Sequence, residues 1–191
     1  MVPEWRMFIA IPLPDEVKQW IRYQMSQLEM NSEYKRVTDY RDYHITVQFL
    51  GDASSTRADE IAAGMQAAVV SQSPFQLQIK NWDTFGRKER PRVLWLDMDG
   101  EREQLHMLHQ QVGVEMDKLG FSQEAREYHP HITTARQYQG EAAIEIEKLR
   151  EQLGSDRPIW KVDKLVLYRT RLGHSPMYEV VGEAPFIAAK T

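Results

Sequence analysis

Apolar residues recur along this chain in short blocks whose period switches between two and about three and a half, the alternation of strands with helices. Met7 to Ile11 is a continuous apolar run of the kind that forms a buried strand. Pro14-Asp15-Glu16 then opens a helix, and the spacing of Val17, Trp20, Ile21 and Leu28 predicts an amphipathic helix to about Leu28. A strand follows from His44. Ser54-Ser55-Thr56 caps a second helix through about Val70. Strands Phe75 to Trp82 and Val93 to Met98 come next, joined by the basic loop Gly86-Arg87-Lys88-Glu89-Arg90-Pro91-Arg92. A helix from about Glu101 to Leu119 precedes a strand at His131. A short helix, Glu141 to Leu153, and two strands, Ile159 to Arg169 and Met177 to Val181, complete the pattern.

Two of these strands carry the same motif: His44-Ile45-Thr46-Val47-Gln48-Phe49-Leu50-Gly51 and His131-Ile132-Thr133-Thr134-Ala135-Arg136. Because side chains alternate across a strand, His44 and Thr46 are expected on one face, with Ile45, Val47 and Phe49 on the other. Each motif can therefore turn an imidazole and a hydroxyl toward one cavity while its apolar face holds the strand to a core. A helix precedes each motif and a helix then strands follow it, and the two copies lie close to half the chain length apart. A duplicated α+β unit accounts for this order. A doubly wound sheet is the other arrangement open to it, but no Gly-rich phosphate loop follows the first strand.

Composition narrows the chemistry. At 191 residues, 42% hydrophobic and 27% charged, the chain has ordinary globular usage and enough length for one large domain or two small lobes. It has 0 cysteines, which excludes disulfides, thiolate nucleophiles and cysteine-bound zinc, and fits a reducing compartment. The apolar run near Met1 is too short for a signal peptide, and no stretch approaches a membrane span, so a cytoplasmic protein is expected. A net charge of -4 and a pI near 5.9 argue against broad binding of duplex nucleic acid, while leaving a nucleotide or a strand end as ligand. The loop from Gly86 to Arg92 is the one place where a polyanion has a basic cluster to lean on. Flanked by Gly and Pro, it reads first as a solvated hairpin turn.

A pair of histidines, each titrating near 6.5, can hold one neutral and one protonated member near neutral pH. The neutral ring can take a proton from an attacking water while the protonated ring gives one to a departing oxygen. Two threonine hydroxyls can hold the non-bridging oxygens of a phosphodiester as charge builds. Taken alone, His44 between Tyr43 and Ile45 would be an ordinary core or sheet-edge histidine, and Thr46 and Thr133 are simply good strand formers. The second copy in a matching context turns that reading toward function.

These blocks, with the opening Met7-Phe8-Ile9-Ala10-Ile11-Pro12-Leu13-Pro14, the strand Arg92-Val93-Leu94-Trp95-Leu96 and the ending Leu167-Tyr168-Arg169 with Tyr178, resemble the 2H phosphoesterases over nearly the whole chain. Within them the chain looks like the RNA 2',3'-cyclic phosphodiesterases, also called 2'-5' RNA ligases. The resemblance implies a bilobal α+β fold over residues 1–191, with two facing antiparallel sheets, helices outside and one motif per lobe about a pseudo-twofold axis. It further implies His44 as the proton donor to the leaving 3'-oxygen and His131 as the proton acceptor from water. Thr46, Thr133 and Arg136 would bind the phosphate. Strict alternation puts Arg136 on the face opposite His131, so its role requires a bulge or the strand's end there.

The expected substrate is an RNA end or a nucleotide carrying a 2',3'-cyclic phosphate, opened to a 2'-phosphate by a monomer with no metal, cofactor or obligate protein partner. A 2'-5' ligase or phosphodiesterase, another cyclic-phosphate hydrolase with the same site, and a non-catalytic module for phosphate-ended RNA stand as alternatives. His129 and His131, at i and i+2, have a spacing that can bind a metal, but no carboxylate or cysteine accompanies them. His106 and His109 read as surface or interface positions on an amphipathic helix. Trp82, Trp95, Trp160 and Phe85 read as core, and Tyr40 or Tyr43 as candidate flanks for a nucleobase.

Overall fold

The structure is a computed structural model and describes residues 2–187. The ends of the expected 1–191 unit, residue 1 and residues 188–191, lie outside the described residues. In chain order the elements are β1 (Glu4–Pro12), α1 (Asp15–Ser26), β2 (Tyr34–Val37), β3 (His44–Ser54), α2 (Ala58–Ala68), β4 (Phe75–Gly86), β5 (Pro91–Gly100), α3 (Arg102–Lys118), β6 (Ile132–Tyr138), α4 (Ile146–Gln152), β7 (Ile159–Val162), β8 (Lys164–Thr170) and β9 (Tyr178–Pro185). The strands form two wholly antiparallel sheets, one in the order β3-β1-β8-β9 and the other β2-β6-β5-β4-β7. Laid side by side, β3-β1-β8-β9 corresponds to β6-β5-β4-β7, and β2 is an added edge. This is the expected bilobal α+β arrangement, with one His-x-Thr strand in the same place in each sheet.

The apolar run in β1 is continuous because both of its faces are covered. Met7, Ile9 and Ile11 enter the main core with Val17, Ile21 and Met25 of α1. Phe8 and Ala10, on the other face, pack with Val166, Tyr168 and Tyr178 in a separate cluster on the His44 side. In β5, Leu94 and Leu96 are fully buried in the main core while Trp95 faces the second motif. Helix α2 packs on β9 and α3, and α4 packs on β4.

Several strands run past their expected ends, β4 to Gly86, β5 from Pro91 to Gly100 and β9 to Pro185, and the structure departs from the sequence reading more deeply in three places. The run from Ile159 to Arg169 is two strands, because the chain changes sheets at Asp163. β7 pairs with β4, whereas β8 pairs with β1 and β9, and Asp163 holds the corner by accepting the Phe186 N–H at 2.8 Å. The helix expected from Glu141 begins only at Ile146. β2 has no strand signal of its own in the sequence: Tyr-Lys-Arg-Val is short, and only Tyr34 is buried.

Leu94→Ala tests where the core sits. Its side chain is fully enclosed, and truncation is expected to cost about 3 kcal/mol in urea denaturation; a loss below about 1 kcal/mol would contradict a tightly packed centre in β5.

Candidate active site

Each His-x-Thr strand carries an extra residue directly after the motif threonine, and β3 has a second slip further on at Leu50. In the β1–β3 ladder Ala10 pairs with Thr46 and Ile9 with Gln48, so Val47 has no partner. In the β5–β6 ladder Trp95 pairs with Thr133 and Leu94 with Ala135, leaving out Thr134. Such a bulge reverses the inward and outward phase of everything that follows. In β6, Ile132 and Ala135 are buried in the core while Arg136 returns to the side of His131 and Thr133. Arg136 therefore meets the condition set for it. In β3 the same slip corrects the expected facing of Phe49: Gln48 is buried, and Phe49, 52% exposed, stands on the cleft side with its ring 5.8 Å from Phe8.

Both bulges are pinned through the carbonyls they free. Tyr128 donates its hydroxyl to Thr46 O at 2.9 Å, and His109 Nδ1–H donates to Val47 O at 2.9 Å. The two rings stack on each other with centroids 3.8 Å apart and 6° between planes. Burial pushes the Tyr128 phenol up, which keeps it a donor, and burial pushes His109 down, which keeps its ring neutral. In the second lobe Thr134 donates its hydroxyl to Leu94 O at 3.0 Å, and Thr134 O accepts the Thr38 N–H at 2.9 Å. His109 is thus a half-buried brace on β3 rather than a surface residue.

The two candidate histidines are held alike. His44 Nδ1 lies 2.6 Å from Asp42 O and His131 Nδ1 2.8 Å from His129 O. A carbonyl only accepts, so each Nδ1 carries the hydrogen and each Nε2 is left to take or give a proton. His44 Nε2 lies 3.0 Å from Thr46 Oγ1. Asp42 is itself fixed, its carboxylate accepting the N–H groups of Met177 at 2.8 Å and Tyr178 at 3.1 Å.

Aromatic rings pack against both imidazoles. Phe8, Tyr168 and Tyr178 stand 4.9, 5.8 and 5.2 Å from His44, and Phe85 and Trp95 stand 5.0 and 5.7 Å from His131. Phe85 belongs to the wall of the site and not to the core, Trp82 and Trp160 lie in the core as expected, and Trp95, though buried, packs outside the main core against His129 and His131. Tyr43 is buried too, and so is no flank for a base.

Thr46, Phe49, Phe85, His131 and Arg136 line a cleft of about 590 Å³ between the lobes, with Arg92, Arg126, Glu124 and Glu127 at its border. His44 and Thr133, both half-buried, are not among its lining residues, and His44 meets it through Thr46, whose Oγ1 lies 3.0 Å from Nε2. Electrostatics agrees with this grouping. Burial pushes His44 down to about 4, and charge on His131, Lys18 and Arg136 pushes the same way. His131 is also pushed down, chiefly by burial, with Arg136, His129 and Arg126 adding to it. Both shifts come first from burial, with neighbouring cations adding to them, and Glu124 and Glu127 share the cleft lining with Arg92, Arg126 and Arg136. Among the described residues no three His, Asp or Glu side chains converge as a metal set.

Paired His-x-Thr strands facing one cleft in a bilobal α+β fold define the class of protein. Residues 13–174 match the family model of the 2'-5' RNA ligase superfamily, and the chain belongs to that family. It is 35% identical to the RNA 2',3'-cyclic phosphodiesterase of Geobacillus stearothermophilus over 95% of this chain but only 57% of that protein's length. It is 29% identical to the protein of the same name from Bacillus subtilis, over 91% of this chain and 92% of that one. Among solved structures, Escherichia coli LigT complexed with 3'-AMP has a TM-score of 0.74 at 22% identity, covering 96% of this chain and 99% of that one. TT0787 of Thermus thermophilus has a TM-score of 0.76 at 18% identity, covering 97% of this chain and 100% of that one.

Tyr128→Phe tests the brace. It keeps the stack on His109 and leaves Thr46 O without its donor, so stability should fall by about 1–2 kcal/mol, with faster amide hydrogen exchange around Thr46 and none around Thr133. Unchanged exchange in β3 would remove Tyr128 from the account.

Proposed function

We propose that this protein hydrolyses 2',3'-cyclic phosphates at RNA ends or on nucleotides, using His44 and His131 as an acid/base pair. The observation that carries the reading is the matched anchoring of both Nδ1 atoms on the carbonyls two residues back, which leaves each Nε2 to exchange a proton. The names of the curated relatives support the substrate class. In the reaction a water oxygen attacks phosphorus and gives its proton to His131 Nε2. The bond from phosphorus to the 3'-oxygen breaks, and His44 Nε2 supplies the proton to that oxygen. The products are a 2'-phosphate and a free 3'-hydroxyl. Thr46 and Thr133 donate to the non-bridging oxygens, and the Arg136 guanidinium faces the charge that builds on them. No step uses a metal.

Free of ligand, both rings favour the neutral form, His44 most strongly. A bound phosphodiester brings a negative charge that raises both, which is what recharges His44 as donor. If the 5'-hydroxyl of a second strand replaces water as the nucleophile on the cyclic phosphate, the same bond to the 3'-oxygen breaks and a 2'-5' phosphodiester forms beside a free 3'-hydroxyl, and the family's description as 2'-5' RNA ligase favours that second reading. Both lobes act here as one unit, and the reading carries with it a monomer working in the cytoplasm. The absence of cysteine supports a reducing compartment. Among the described residues no helix is long and apolar enough to cross a membrane.

His44→Ala and His131→Ala are each expected to lower kcat on a 2',3'-cyclic nucleotide by roughly 10²- to 10⁴-fold while leaving much of the affinity. Loss of affinity with no turnover in the wild type would point to a binding module instead. The pH profile has a definite sign. Because both free-protein pKa values are lowered, the limbs of the kcat/KM bell should both fall below about 6.5, the ordinary value for histidine. The acid limb appears as the base is protonated and the alkaline limb as the acid is lost. The kcat profile should lie at higher pH, and a kcat/KM bell centred above pH 7 would contradict the electrostatics.

A further inference from the structure

Cations are unevenly matched on this surface. Among the described residues outside one end of the second sheet, most basic side chains sit beside carboxylates, as Arg6 does with Asp52, Arg57 with Glu60, Arg150 with Asp83 and Arg169 with Glu179, although Lys18, Arg22, Lys35, Lys148, Arg157 and Lys161 do not. Along that end the balance is reversed. Among the described residues, Arg36, Arg87, Lys88, Arg90, Arg92 and Arg136 have no carboxylate within 4.0 Å. Arg36 lies directly opposite Arg136 in the β2–β6 ladder, and Arg136 opposite Val93 in β5. Like charges facing each other across a ladder are destabilising, so this row is placed against its own repulsion.

The row leads somewhere. β5 runs from Trp95, opposite Thr133, out through Val93 and Arg92 to the hairpin tip at residues 87–90. From Trp95 to Arg90 is five residues, or ~17 Å of extended strand, farther than a single nucleotide in the cleft occupies. The Arg90 charge is felt at Tyr138 on β6, where it works against the upward push that burial and Glu33 give the phenol. Glu89 is the one acid within residues 87–92. The run that reads in sequence as a solvated turn is therefore the outer end of a basic edge whose inner end is Arg136 in the cleft.

We propose that this edge is a track for the RNA strand leading to the cyclic phosphate, with Arg36, Arg92 and the 87–90 tip engaging backbone phosphates on its 5' side. The inference rests on the cleft receiving an RNA end and goes beyond it by assigning the oligonucleotide, rather than the nucleotide, as preferred ligand. A net charge of -4 gives no general attraction for RNA, so binding has to come from a local row such as this one.

The test is the triple variant Arg87→Ser, Lys88→Ser, Arg90→Ser beside wild type. Turnover is measured on a 2',3'-cyclic mononucleotide and on a short RNA ending in 2',3'-cyclic phosphate. Binding of the same RNA ending in 3'-phosphate is followed by fluorescence anisotropy across a salt series. The variant should weaken oligonucleotide KM and Kd by roughly 10-fold and lower the slope of log Kd against log salt by about 2, the share of three phosphate contacts on a single strand. Mononucleotide kinetics should be unchanged, which also reports correct folding. Oligonucleotide binding and slope equal to wild type, or equal weakening on both substrates, would overturn the track. If wild type opens neither substrate, the cyclic-phosphate reading fails, and the anisotropy series still decides the track.

Discussion

An unpaired residue directly after each motif threonine sets the phase of the whole site. Without Val47 and Thr134 standing out of their ladders, Phe49 and Arg136 would point into the core and Gln48 and Ala135 into the cleft. The bulge costs ladder hydrogen bonds, and the structure replaces them: Tyr128 and His109 take the carbonyls of Thr46 and Val47, and Thr38 and Thr134 complete the second lobe. The segment that brings Tyr128 to the first motif runs directly into His131, so one stretch of chain fixes the first strand and delivers the second histidine. Coupling of the two lobes is built into the same few residues that carry the proposed chemistry.

Duplication supplies the frame, and one position breaks its symmetry. The fifth residue after the histidine is Phe49 in one lobe and Arg136 in the other. The cleft thereby gains an apolar wall on the His44 side and a cation on the His131 side. A terminal nucleotide has the same polarity, with flat apolar faces on the base and negative charge on the phosphate, and an asymmetric cleft can take it in one orientation. The basic edge of the second sheet lies on the Arg136 side and extends that polarity beyond the cleft.

Much of the fold was legible in the chain because its signals are local. The apolar run of β1 and the two His-x-Thr blocks lead directly to elements that the structure contains, while Ser54 caps a 3-10 turn that runs into α2 and not α2 itself. What escaped depends on pairing. The break at Asp163 is invisible in a run that alternates well, because it reflects a change of sheet. The bulges are equally silent: Val47 and Thr134 are residues any strand accepts, and only the need to bring Arg136 beside His131 hinted at one of them. Tyr128 and His109 act through backbone carbonyls of distant residues, and Asp42 and His129 offer His44 and His131 main-chain oxygens, so no side-chain pattern could reveal them. The basic hairpin was visible from the start, but its meaning depended on Arg36 and Arg136 lying across the ladder from each other.

The central claim is that the two motif histidines open a cyclic phosphate by moving one proton onto the 3'-oxygen. Its most direct test is the end group formed when the purified protein meets a short RNA ending in a 2',3'-cyclic phosphate, in the presence of EDTA, with the His44→Ala and His131→Ala proteins alongside. The account predicts a 2'-phosphate and a free 3'-hydroxyl with the wild type alone. A 3'-phosphate product, opening abolished by the chelator, or full activity in either variant would contradict it.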